Sequence, residues 1–75
     1  MRAVIHTTIE RLAEQQALVT EIRQAEAELH RWRREAERTD LDAGQRRAAA
    51  AQAGWYAQYA TRRRSELAAL RRQAT

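Results

Sequence analysis

Only one stretch of this chain breaks a helical pattern: "TDLDAG", Thr39 to Gly44, which separates two long segments whose apolar residues recur in steps of three and four. That arrangement leaves few folds open, because two long helices joined by a short turn pack side by side and antiparallel. No other breaker competes with it. Proline is absent and the only glycines are Gly44 and Gly54, while Ala, Arg, Glu, Gln and Leu, all strong helix formers, dominate.

In the first segment the apolar row runs Ile5, Ile9, Leu12, Val19, Ile22, Ala25, Leu29, Trp32 and Ala36, with Gln16 completing it. Such a row predicts one buried stripe on a long helix. "TTIE" at Thr7 to Glu10 has capping-box spacing, so helix 1 is expected over about residues 8–38, with Met1 to His6 as an arm or a frayed extra turn. A second row, Ala49, Ala53, Tyr56, Ala60, Arg63, Leu67, Leu70 and Ala74, predicts helix 2 over about 45–73 after a turn at about 39–44. Asp42 followed by Gln45 repeats the capping spacing and would start that helix, and its charge suits the helix dipole. The expected fold is all-α: one antiparallel, coiled-coil-like two-helix hairpin over residues 1–75. Folding at Leu41 to Ala43 opposes residues whose numbers sum to roughly 83. Small Ala49 and Ala53 then face Trp32, and Arg63 falls in the seam near Gln16 and Thr20, where a polar residue sets register or partner choice.

A single layer of two helices has too few large apolar side chains to be comfortable alone. Val4, Leu18, Trp55 and Ala69 lie off the main row and could cover a further surface. The expectation is therefore a homodimer that completes a four-helix bundle, or docking on another protein.

Charge falls unevenly along the chain. Residues 1–38 hold seven arginines and seven glutamates, whereas residues 39–75 hold seven arginines against Asp40, Asp42 and Glu66, so helix 2 carries the whole excess of +4. Every basic residue is arginine, which offers planar two-pronged contacts to carboxylates and phosphates. Arg46, Arg47, Arg62, Arg63 and Arg64 interleave with Trp55, Tyr56 and Tyr59, a composition suited to phosphates and unpaired bases. The competing expectation is a solvated helix face with ion pairs such as Arg62 to Glu66, Arg31 to Glu35 and Arg33 to Glu37.

Catalytic constellations are missing from the sequence. Cysteine is absent, Ser65 is the only serine, and His6 and His30 stand apart without a companion motif. Neither a glycine-rich phosphate loop nor a long apolar span is present. The expectations are no enzyme activity, no cofactor, no metal, no membrane association and a cytoplasmic location.

The two aspartates at the turn also support a resemblance. A long antiparallel hairpin with acids at its tip resembles the N-terminal arm of the bacterial transcript-cleavage factors, carried here by "MRAVIHT" at the start, "ERL" at Glu10 to Leu12, "DLD" at Asp40 to Asp42 and "QAGWY" ending at Tyr56. The resemblance implies an arm that enters the RNA polymerase secondary channel, with Asp40 and Asp42 as tip acids holding magnesium. This chain departs from that pattern: its second acid follows the first by two residues rather than three, and Gly44 and arginines stand where asparagine and glutamate follow in the family. At the level of architecture the chain is also similar to small hairpin proteins that dimerise into four-helix bundles and bind RNA loops. The main functional expectation is non-catalytic protein binding, as a regulatory or assembly factor, through Leu18, Trp55 and Tyr59 with Arg62 and Arg64 at the rim.

Overall fold

The computed structural model describes the backbone of residues 2–73 and the side chains of residues 8–73. Expectations resting on the side chains of Val4, Ile5, His6 and Thr7, or on Ala74, lie outside that range. Two helices, α1 (Arg2–Ala36) and α2 (Ala43–Gln73), pack against each other as an antiparallel hairpin measuring 61 × 14 × 13 Å. Among the described residues there is no strand, and no helix is long and apolar enough to cross a membrane.

The helix ends differ from those expected. α1 already begins at Arg2, so the backbone runs helically through Thr7 and the "TTIE" spacing marks no start. At its other end α1 tightens: the Glu37 amide donates to the Arg34 carbonyl and the Arg38 amide to the Glu35 carbonyl, each at 3.2 Å. These three-residue bonds satisfy carbonyls that a helix end otherwise leaves without partners. α2 starts at Ala43, two residues before Gln45, because Asp42 is its cap. The Gln45 amide donates to Asp42 Oδ1 at 2.8 Å and the Asp42 amide donates to Gln45 Oε1 at 3.0 Å, the reciprocal pair expected from the sequence.

The core is thin and small-residue rich. Its buried members are Ile22, Ala25 and Leu29 on α1 and Ala49, Ala53, Ala60 and Leu67 on α2. Ala60 is fully enclosed, and alanines there let the two backbones approach closely while Trp32 and Tyr56 fill the sides half-buried.

The first half of α1 overturns the expected stripe. Ile9 and Leu12 are 59 % and 53 % exposed, and Gln16 is exposed as well. Position 11 faces α2 instead, where an Arg11 guanidinium nitrogen donates to the Gln73 carbonyl at 3.4 Å, and Gln15 and Leu18 are half-buried. The seam is thus Arg11, Gln15, Leu18, Ile22, Ala25, Leu29, Trp32 and Ala36, in unbroken alternation of four and three. The expected row contained three successive steps of three, Gln16 to Val19 to Ile22 to Ala25, where alternation needs a four between them, and this swings it by roughly 100° around the helix. Leu18, placed off the stripe by the sequence reading, belongs to the seam.

Candidate functional site

Helical spacing places Gln45, Ala48, Gln52, Trp55 and Tyr59 along one side of α2, and Glu21, Gln24, Glu28, Trp32 and Glu35 along the adjoining side of α1. Between these rows runs a groove of about 600 Å³, lined by Glu21, Gln24, Ala25, Glu28, Trp55 and Tyr59 among others. The Trp55 ring lies nearly parallel to Tyr59, with centroids 5.4 Å apart and planes 16° apart, and meets Tyr56 edge-on at 4.9 Å. This stack holds the indole in place while leaving Trp55 52 % exposed. Towards the turn a second groove, about 370 Å³, is lined by Trp32, Glu35, Leu41, Gln45, Ala48 and Gln52. The Trp32 indole N–H is buried there without an acceptor, a deficit of about 1–3 kcal/mol for a buried donor.

The arginines at the groove's rim are largely spent within the hairpin. Arg63 Nε pairs with Glu21 at 3.2 Å across the seam, its Nη1 donates to Glu66 at 2.7 Å, and its guanidinium lies 5.0 Å from the centre of the Tyr59 ring. Glu66 above all, then Tyr59, raises the Arg63 pKa further above its ordinary value. Arg64 Nη2 reaches Glu26 at 2.7 Å on the opposite edge of the seam. Glu66 therefore pairs with Arg63 and not with Arg62, and Arg31 reaches back to Glu28 at 3.5 Å rather than on to Glu35. Arg46 donates to the Leu41 carbonyl at 2.6 Å, tying α2 to the turn. Arg47 and Arg62 are exposed and, among the described residues, have no ion pair. Of the arginines offered as nucleic-acid contacts, Arg63 and Arg64 thus pair across the seam, Arg46 ties the turn and Arg47 and Arg62 stay exposed, and the groove itself is edged by carboxylates.

At the turn each aspartate has an internal partner. Asp42 caps α2, while both oxygens of Asp40 accept from Arg38, at 3.0 Å from Nε and 2.5 Å from Nη2. Arg38 also reaches Glu35 at 3.1 Å. The guanidinium holds the Asp40 carboxyl below its ordinary pKa of 3.8. Among the described residues no group of three or more histidines, aspartates or glutamates is placed to hold a metal ion.

The sequence singles out Trp55 and Tyr59 but not the groove they line, because its α1 wall comes from residues about 30 positions away that only the register brings opposite. It also missed the Arg38–Asp40 clasp, for which the spacing R-x-D in a turn was an available signal. No protein-family model matches the chain, and comparison with curated proteins and with solved structures finds no similar one.

Proposed function

We propose that this hairpin acts by binding another protein, without catalysis, as a regulatory or assembly factor. The observation that carries this reading is Trp55: a large aromatic side chain, half exposed, stiffened by stacking on Tyr59, and set in a groove whose other wall is α1. Rigid aromatic anchors of this kind supply interface energy out of proportion to their number. Glu21 and Glu28 beside the ring are paired with Arg63 and Arg31, so the groove offers a partner chiefly the aromatic face, which favours an apolar side chain. Self-association, two hairpins contributing four helices, belongs to the same reading, since the thin core leaves apolar surface uncovered.

The test is affinity capture from the host lysate with the native chain and with Trp55→Ala, after nuclease treatment and at high salt. A protein recovered near stoichiometrically by the native chain and lost with Trp55→Ala, while helical circular dichroism is unchanged, is the expected result. Recovery that requires intact nucleic acid and low salt would replace this reading with one in which the helix 2 arginines work.

A further inference from the structure

We propose that the edge of the hairpin opposite the Trp55 groove binds the phosphate backbone of duplex nucleic acid, through Arg23 and Arg33 on α1 and Arg47 and Arg71 on α2. The proposal adds a second surface to the protein-binding reading and does not rest on it.

Two bridges mark the two edges of the seam, Arg63 to Glu21 on the groove side and Arg64 to Glu26 on the other. Side chains seven residues apart stay in line along two packed helices, so each edge can be followed from its bridge. On the groove side, steps of seven from Glu21 give Glu14, Glu28 and Glu35, and Glu66 joins them from α2. The arginines beside these glutamates are committed: Arg63 to Glu21 and Glu66, Arg31 to Glu28, Arg38 to Glu35 and Asp40.

The other edge has the opposite balance. Steps of seven lead from Glu26 to Arg33 and from Arg64 to Arg71, and the next rows outward, which start three residues back at Arg23 and Thr61, include Arg47 two steps of seven before Thr61. Arg23, Arg33, Arg47 and Arg71 are exposed and, among the described residues, none of them has an ion pair. The carboxylates on this edge are Glu26, already bridged to Arg64, and Glu37, and the expected pairing of Arg33 with Glu37 does not occur. The excess positive charge of the chain is thus concentrated, uncommitted, along one side of the rod, and it comes from both helices.

The side chains between these arginines say which anion fits. They are small on α2, with Ala50, Gly54, Ala57 and Thr61, and the large apolar residues of the edge, Leu12 and Val19, lie towards one end beyond Arg23. A protein partner would find no aromatic or aliphatic anchor among the cations. Trp32, Trp55, Tyr56 and Tyr59 all line the grooves of the other side, so unpaired bases would have nothing to stack on. What remains is a row of planar guanidinium groups that a duplex backbone can approach closely over small side chains. At the rise of an α-helix Arg47 and Arg71 lie about 36 Å apart along α2, close to one turn of a duplex.

Fluorescence anisotropy of the full chain with DNA and RNA duplexes of arbitrary sequence, across a salt series, tests this. Neutralising four phosphates should cost about a hundredfold in affinity between about 50 and 200 mM salt. Arg23→Gln/Arg33→Gln should bind more weakly and lose only about tenfold over the same range, because two of the four contacts are gone. Arg31→Gln/Arg62→Gln, which removes the same net charge from the groove side, and Trp55→Ala should both keep the native salt dependence, with helical circular dichroism unchanged throughout. Binding to neither duplex, or an equal loss in the two double variants, overturns the proposal. So does binding to poly-L-glutamate as tight as to the duplexes, which would assign the edge to an acidic protein.

Discussion

Asp42 shows how much of the turn hangs on one side chain. Its carboxylate accepts from the Gln45 amide, its own amide is covered by the Gln45 side chain, and its negative charge sits where the α2 dipole favours it. Replacing it with alanine removes the acceptor and the charge together, so Asp42→Ala should destabilise the hairpin by about 1 kcal/mol. In a chain of this size that lowers the melting temperature by roughly 4–8 °C, and Asp42→Ser should restore most of it because serine keeps the acceptor. Thermal melts followed by circular dichroism would check both. This detail was legible in advance: D-x-x-Q before an alanine-rich helix has one local meaning, and the bonds it forms span three residues. Asp40 is the contrast. Its partner Arg38 lies on the other side of Thr39, and only the bend of the turn lets the guanidinium span both carboxylate oxygens.

Each helix carries more pattern than its fold uses. α1 bears the hairpin seam from Arg11 to Ala36 and a second apolar row displaced around its N-terminal half; the two merge at Val19 and Ile22, where the steps of three succeed one another. A reading that follows apolar residues alone passes from one row to the other without noticing, since Arg11 and Gln15 do not look like seam residues and Ile9 and Leu12 do. α2 carries a different excess, a glycine in mid-helix. Gly54 is exposed, and a methyl group added there would meet nothing within 4 Å. Gly54→Ala should therefore stabilise α2 by about 0.5–1 kcal/mol through the backbone freedom that glycine loses on folding, read as a higher denaturant midpoint with an unchanged slope. A destabilised variant would mean that the space beside Gly54 is covered by something other than this chain's own helices.

At the scale of the whole molecule the hairpin is a rod. Its radius of gyration is 17.4 Å, where a compact domain of the same length has about 11 Å, and among the described residues only seven apolar ones are buried. Four of those seven are alanine, so the seam holds by close approach and by cross-seam pairs at its edges, each exposed enough to be worth at most about 1 kcal/mol. A fold of this kind should depend on association. The melting temperature of the native chain is expected to rise with protein concentration, because binding that requires the folded state stabilises it by mass action. Calorimetry across roughly two decades of concentration would show the rise.

What the sequence determined by itself was everything that depends on neighbours along the chain: helix in place of strand, the position of the turn, the Asp42 cap and the antiparallel hairpin that follows from a short connection between long helices. Those follow from propensity, from backbone bonds closed within four residues, and from the geometry of a short link. The tertiary structure decided which of two overlapping rows on α1 is buried, which glutamate each arginine takes, and where Trp55 finds its opposite wall. Each of these depends on the phase of one helix against the other. A single step of three where the alternation calls for four shifts that phase by about a quarter of a turn, and no residue reports it until the second helix is in place.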